Sequence, residues 1–77
     1  MVDGQFLMEI METREIIDNT NDVDQLKVLS ETNTNEMKDA YAELQTAFQE
    51  NNIQRVKELI ASLQYWKRIE DTIQDKI

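Results

Sequence analysis

Hydrophobic residues recur at intervals of three and four over three long stretches of this chain, which is the period of an α-helix that packs on one side. The first stretch predicts a helix over residues 4–19, with Asp3 as its N-cap. The polar turn Asn19-Thr20-Asn21 ends this helix. At about 100° per residue, its core stripe consists of Phe6, Ile10, Thr13 and Ile17.

The second stretch predicts a long helix with Asp22 as its N-cap and Gln25 in an approximate capping box. Its expected buried face comprises Val23, Leu26, Met37, Ala40, Tyr41, Leu44 and Phe48. Ser30 and Asn33 fall where apolar residues would be expected. The segment SETNTNE is therefore either the poorly packed middle of one helix or a break between two. We favour one helix, whose N-terminal half would project beyond the compact bundle.

The third stretch predicts a helix over about residues 53–75, after the turn Gln49-Glu50-Asn51-Asn52, with Asn51 as N-cap and Gln54 at N3. Its expected buried stripe comprises Val56, Leu59, Ile60, Leu63, Trp66 and Ile73. Tyr65 is expected to point about 150° away from the centre of that stripe, with Ile69 near it. The predicted fold is a single all-α domain over residues 1–77. It is a three-helix antiparallel bundle in which a short helix 1 packs on a long αα-hairpin.

The composition of the 77 residues suits helices, since there is no proline and only one glycine. The chain has no cysteine and no histidine, which makes zinc-ribbon, iron–sulfur and thiol chemistry implausible for it. Glu12 and Glu15 are interpreted as part of a solvated acidic face, because so small a domain has little core in which to bury a catalytic pocket. We therefore expect no enzyme activity, no cofactor and no metal site.

The net charge of −8 is unevenly distributed along the chain. Residues 1–25 contain seven acids and one base, whereas residues 52–77 contain four acids and five bases. Nucleic acid and anionic membranes are poor partners for such a chain, because both require clustered Lys and Arg. No targeting segment is visible, and no apolar run approaches the roughly 20 residues that span a bilayer. The expected complement of helix 1 is a basic protein surface.

Helix 1 carries more apolar residues than one core stripe requires. Leu7, Met8 and Met11 share a second face, with Glu12, Glu15, Asp18 and Asn19 around it. Either helix 1 is buried on two sides, or this face is exposed for binding. Burial would draw the acids in at a desolvation cost, and methionine suits an adaptable binding surface. Tyr65 is likewise either a sheltered surface aromatic or a binding hot spot beside this face.

Two segments of the chain resemble a known family. FLMEIMETREIID, residues 6–18, resembles the start of the C-terminal domain of the HscB-type J-protein co-chaperones, which serve iron–sulfur cluster assembly. ELIASLQYWKRIEDTI, residues 58–73, resembles the last helix of that domain, and the likeness is weakest in SETNTNE. The resemblance implies a three-helix domain that docks the IscU-type scaffold protein for delivery to a heat-shock chaperone. It implies the mitochondrial matrix or the bacterial cytoplasm as the location.

The resemblance also implies which residues bind the scaffold. The family uses aliphatic and acidic residues of the first helix and an aromatic residue of the last. These correspond here to Leu7, Met8, Met11, Glu12, Glu15 and Tyr65, with Asn19 where an acid is often found. Full-length members carry a J domain with a His-Pro-Asp motif, and this chain has neither His nor Pro, so only scaffold binding is assigned to it. The alternative is a structural or oligomerising helical module that self-associates through the helix 1 face.

Overall fold

The computed structural model describes residues 4–77, and these form three α-helices. They are α1 (Gly4–Asn19), α2 (Val23–Gln49) and α3 (Ile53–Lys76). α2 and α3 form an antiparallel hairpin, and α1 packs mainly along the second half of α3, parallel to it. The particle measures 43 × 22 × 15 Å. The predicted three-helix bundle is confirmed, whereas the expected N-cap Asp3 lies outside the described residues.

Within residues 4–77 the core consists of two clusters of buried side chains. The first joins all three helices through Ile10, Ile17, Leu26, Ile69 and Ile73. The second joins α2 and α3 near their turn through Ala40, Ala47, Val56 and Leu59. Trp66 packs against both clusters. The predicted core stripe of α1 is confirmed, because Ile10 and Ile17 are buried while Phe6 and Thr13 are partly buried.

Polar side chains fill the middle of α2, where the sequence predicted weak packing. Asn33 is buried and donates a hydrogen bond from Nδ2 to the carbonyl oxygen of Trp66 at 2.8 Å. The hydroxyl of Ser30 donates to the carboxylate of Glu70 at 2.7 Å. The single continuous helix is confirmed. The prediction that the N-terminal half of α2 projects beyond the bundle is wrong, because these two hydrogen bonds and the buried Leu26 hold that half against α3.

Several side chains of the hairpin that were predicted to be buried are exposed, and one that was predicted to point away from the core is buried. Ile69 is buried and Ile60 is exposed, because α3 contacts α1 as well as α2 and its buried arc is rotated toward α1. On α2 the small residues Ala40 and Ala47 form the contact with α3 near the turn. Tyr41 and Phe48, the larger residues that were predicted to be buried there, are exposed. Val23, at the start of α2, was also predicted to be buried and is exposed.

The turn between α1 and α2 is organised by Asp22, which caps α2 as predicted. Its carboxylate accepts from the amides of Asp24 and Gln25 at 2.9 and 3.4 Å. The predicted capping box does not close directly. Instead the Gln25 Oε1 accepts from the Thr20 hydroxyl at 2.7 Å, and that hydroxyl accepts from the Asp22 amide at 3.2 Å. The hydroxyl of the buried Thr20 thus links the Gln25 side chain to the Asp22 amide.

The turn between α2 and α3 is capped one residue later than predicted. Asn52, not Asn51, is the N-cap, and its Oδ1 accepts from the amide of Arg55 at 3.1 Å. Asn51 has a φ of 56°, a left-handed conformation that asparagine tolerates better than most residues. The Arg55 guanidinium also pairs with Glu43 across the hairpin, and this hydrogen bond raises the pKa of Arg55. Among residues 4–77 no helix is long and apolar enough to cross a membrane.

Candidate protein-binding surface

The second apolar face of α1 lies at the molecular surface. Met8 and Met11 are 62% and 63% exposed, and Leu7 is partly buried. These side chains are accessible because α1 meets the rest of the bundle through the opposite stripe, on which Ile10 and Ile17 are buried. Met8 and Met11 are therefore not buried by the other helices, and the alternative in which α1 is buried on two sides does not explain why they are apolar.

Carboxylates surround this face, and among residues 4–77 none of them forms an ion pair. Glu12 and Glu15 are exposed, as is Asn19 beyond them. Within residues 4–77 no Lys or Arg nitrogen lies within 4.0 Å of a carboxylate of α1, since the ion pairs there join residues of α2 and α3. The negative field of the helix is thus available to attract a basic surface.

We define the α1 patch as the group formed by Leu7, Met8, Met11, Glu12 and Glu15. These residues lie on one side of a single helix, and Asn19 extends the patch by one further turn. From Leu7 to Asn19 the patch is about 18 Å long at the rise of an α-helix. The structure therefore brings six of the seven residues expected from the sequence onto one continuous surface.

A shallow depression continues the α1 patch toward the turn before α2. It is lined by Glu12, Glu15, Ile16, Asn19, Thr20 and Gln25. Ile16 is exposed and adds an apolar side chain that the sequence reasoning missed. Ile16 lies about 100° around the helix from the core residue Ile17. The same helical projection that placed Leu7 outside the core stripe therefore also predicts that Ile16 lies outside it.

Tyr65, the seventh expected residue, is partly buried and packs on α1 at Phe6. Its ring packs edge-to-face on Phe6, with centroids 6.0 Å apart and planes at 71°. Phe6 packs in the same manner on Trp66, with centroids 5.3 Å apart. Leu7 follows Phe6 directly, so Tyr65 contacts α1 at the level of the first residue of the α1 patch along the helix axis. The expected outward direction is only partly right, since Tyr65 also packs against the core shared by α1 and α3.

The far end of the α1 patch is held by a lysine from the last turn of α3. The Lys76 Nζ donates to the carbonyl oxygens of Ile17, Thr20 and Asp18 at 2.5, 2.9 and 3.3 Å. These carbonyls lie at or just beyond the C-terminal end of α1, where intrahelical donors run out. A cation there also complements the helix dipole. Lys76 and the Phe6–Tyr65 contact therefore fix α1 on α3 at both ends of the patch.

Comparison with known proteins assigns the chain to a family. Residues 2–74 match the family described as the HSCB C-terminal oligomerisation domain. No curated protein and no solved structure gives a significant match. The match covers almost the whole chain and agrees with the three-helix fold and with the resemblance of the first and last helices. The chain therefore belongs to the HscB C-terminal domain family, a family of iron–sulfur cluster co-chaperones.

Proposed function

We propose that this domain docks the IscU-type scaffold protein of iron–sulfur cluster assembly through the α1 patch, with Tyr65 as a further contact. The observation that carries the proposal is the exposure of Met8 and Met11 on a helix whose carboxylates have no Lys or Arg nitrogen within 4.0 Å among residues 4–77. Adaptable thioether side chains in the centre and charges around them are the usual arrangement of a protein-binding surface.

Apolar burial supplies most of the affinity in this proposal. A fully buried methionine or leucine contributes about 1.5–3 kcal/mol. Covering the exposed parts of Met8 and Met11 therefore contributes roughly 2–4 kcal/mol. The partly buried Leu7 has less surface left to lose. The carboxylates of Glu12 and Glu15 act chiefly on the rate and orientation of encounter with a basic partner surface.

Delivery of the docked scaffold to a heat-shock chaperone completes the proposed role, in the mitochondrial matrix or the bacterial cytoplasm. Stimulation of that chaperone's ATPase is not assigned to this chain, since the His-Pro-Asp motif requires residue types that it lacks. The domain's share is to hold the scaffold in place.

Titration calorimetry of an IscU-type scaffold into the domain tests the docking surface. The double variant Met8→Ala/Met11→Ala should weaken the affinity on the order of 30- to 1,000-fold, which corresponds to a loss of about 2–4 kcal/mol. Its helicity should remain that of the wild type, because both side chains project into solvent. Val28→Ala is the matched control, since Val28 is an exposed apolar residue of α2 at 61%. An equal affinity for wild type and the double methionine variant would refute the proposal.

The acidic frame has its own test in association kinetics. Glu12→Gln/Glu15→Gln should lower the association rate constant for the scaffold at low salt, and the difference from wild type should shrink as NaCl rises. Glu31→Gln/Asp39→Asn removes two exposed acids from α2 with the same change in net charge. If both pairs slow association equally, the effect comes from overall charge and the α1 acids have no specific role.

Self-association through the α1 patch is the second candidate, and the description of the family as an oligomerisation domain favours it. Sedimentation at rising protein concentration separates the two candidates. A dimer that Leu7→Ala/Met11→Ala abolishes supports self-association through this patch. A monomer that binds the scaffold supports docking.

A further inference from the structure

A second apolar surface lies on the side of the hairpin away from α1, and we call it the outer hairpin face. We propose that it binds an acidic amphipathic helix of a partner protein, which lies along the seam between α2 and α3. Its members recur at intervals of three and four residues on both helices: Met37, Tyr41, Leu44 and Phe48 of α2 with Ile53, Val56, Ile60 and Leu63 of α3.

The borders of the outer hairpin face are open to solvent, while its middle is covered. Tyr41 and Phe48 are 57% and 56% exposed, and Ile53 and Ile60 are exposed on the facing helix. The members along the seam are buried or partly buried: Met37, Leu44, Val56 and Leu63. The face is thus a seam bordered by two rows of large apolar side chains, which suits the apolar stripe of a third helix.

The acids of the hairpin all lie on its other side. Residues 36–67 contain five carboxylates. Four of them line one depression together with Phe6 of α1, and the fifth lines the adjoining depression: Glu36, Asp39, Glu43 and Glu58 in the first, and Glu50 in the second. The outer hairpin face is therefore bordered by no carboxylate of these residues, although the chain has 16 acids.

Two lysines border the outer hairpin face, one on each helix. Lys38 precedes Tyr41 by three residues and Lys57 precedes Ile60 by three, so each is a neighbour of an exposed apolar side chain. Both lysines are exposed, and among residues 4–77 neither forms an ion pair. Neither has an acid three or four residues away in the sequence. Their positive charges are therefore available to a partner.

This arrangement of charge selects the class of partner. An apolar seam with a free lysine on either side complements a helix that carries an apolar stripe with carboxylates on both flanks. A second copy of the chain would instead bring Lys38 and Lys57 against the same lysines of the other copy. An anionic membrane would meet the repulsion of a chain whose net charge is −8. An acidic helix is short enough to meet the lysines alone.

The length of the outer hairpin face sets the length of the bound helix. Residues 37–48 and 53–63 each span about 15–17 Å, which is about three turns of α-helix. So small a contact gives weak binding. Since α1 packs on the opposite side of the hairpin, the α1 patch remains free. The proposal therefore does not depend on scaffold docking.

Fluorescence anisotropy with two synthetic peptides tests the proposal. Each peptide is a stapled helix of about 14 residues with leucines at intervals of three and four, and its flanking residues are all glutamates in one and all lysines in the other. The acidic peptide should bind the wild type at least roughly tenfold more tightly than the basic peptide at low salt. The difference should shrink as NaCl rises, because salt screens exposed charges.

Substitutions locate the binding on the outer hairpin face. Lys38→Gln/Lys57→Gln should weaken the binding of the acidic peptide about 2- to 30-fold at low salt. Arg14→Gln/Arg68→Gln is the matched control, because it removes two exposed cations outside the face with the same change in net charge. It should leave the affinity within about twofold of the wild type.

The apolar part of the face has a second pair of variants. Tyr41→Ser/Phe48→Ser should weaken binding of the acidic peptide by roughly tenfold or more. Met8→Ser/Met11→Ser changes two equally exposed apolar residues of α1 and should retain binding. Circular dichroism checks that both variants keep the helicity of the wild type. Amide shifts in nuclear magnetic resonance titrations should be largest in residues 37–48 and 53–63.

Several outcomes would overturn the proposal. One is equal affinity of the wild type for the acidic and basic peptides, and another is a set of amide shifts centred on the α1 patch. Binding to vesicles of phosphatidylserine and phosphatidylcholine, without binding of the acidic peptide, would assign the face to a membrane. A dimer that Tyr41→Ser/Phe48→Ser abolishes, again without peptide binding, would assign it to a second copy. Failure of scaffold docking is a separate result, because it appears in the titration of Met8→Ala/Met11→Ala.

Discussion

Replacing Lys76 by methionine removes the ammonium group that holds the end of α1 while keeping an unbranched side chain. In the wild type this group donates three hydrogen bonds, to the carbonyl oxygens of Ile17, Asp18 and Thr20. The bonds to Ile17 and Thr20 are partly buried and the bond to Asp18 is exposed, so water replaces only part of what is lost. We therefore expect Lys76→Met to lower the free energy of unfolding by about 1–2 kcal/mol, the range of a charged hydrogen bond and a favourable helix-end cation.

That loss is large for a domain of this size. The unfolding entropy is about 2.1 cal/mol/K per residue, or roughly 160 cal/mol/K for the chain, so Tm should fall by about 6–12 °C. Calorimetric melting measures this shift. Hydrogen exchange should also show that the last amides of α1 lose protection more than those of the hairpin near Ala47, because α1 loosens at the end that Lys76 holds.

Lys67→Met is the matched control for Lys76→Met. Lys67 is on the same helix and forms a 3.4 Å ion pair with Asp71, but its side chain is well exposed. An exposed pair of this kind contributes at most about 0.5 kcal/mol, so its loss should move Tm by no more than about 3 °C. Equal melting temperatures for Lys76→Met and Lys67→Met would refute the reasoning, since they would mean that the carbonyl contacts contribute no more than a surface ion pair.

Three further substitutions test other contacts. Asn33→Ala should lower the free energy of unfolding in urea by about 1–2 kcal/mol by removing the buried donor to the Trp66 carbonyl, and Asn33→Leu should cost less because it keeps the volume. Asp22→Ala should cost about 1 kcal/mol through loss of the α2 N-cap, with faster exchange of the first amides of that helix. Tyr65→Phe should keep the melting temperature, whereas Tyr65→Ala should lower stability by about 1–3 kcal/mol because it removes the edge-to-face contact with Phe6.

The partial burial of Tyr65 affects how its contribution to scaffold binding has to be tested. Because the ring is partly buried against Phe6, a weaker affinity of Tyr65→Ala for the scaffold combines a lost contact with a loosened α1. Tyr65→Phe isolates the hydroxyl, and Met8→Ala/Met11→Ala isolates the exposed part of the patch. The two variants together assign binding to the patch without relying on a destabilised protein.

The helices and most of their ends could be predicted from the sequence, because these features depend on neighbouring residues. The bounds of α1, the N-cap Asp22 and the core stripe on which Ile10 and Ile17 lie all follow from local spacing and side-chain chemistry. The N-cap of α3 was misplaced by one residue. Asn51 and Asn52 have the same side chain, and only the backbone path of the turn selects Asn52.

The surplus of apolar residues on α1 was also visible in the sequence, but their exposure was not. Periodicity identifies Leu7, Met8 and Met11 as a second face, whereas the position of α1 along α3 decides that nothing in residues 4–77 covers the two methionines. The same limit applies to the hairpin. Tyr41 and Phe48 have the spacing of buried residues, yet they are exposed because α1 packs on the other side.

Taken by itself, the sequence determined three helices, the arrangement of apolar and polar residues around each of them, and the acidic character of the first. The tertiary structure alone decided which of the apolar faces are covered. Ile69 shows the reason most clearly, since a projection of α3 placed it beside Tyr65 and away from the core, yet it is buried in the cluster that joins all three helices. A helical pattern records how apolar residues are arranged around one axis. Their burial depends on the directions from which other helices approach that axis, and those directions follow from packing between residues far apart in the chain.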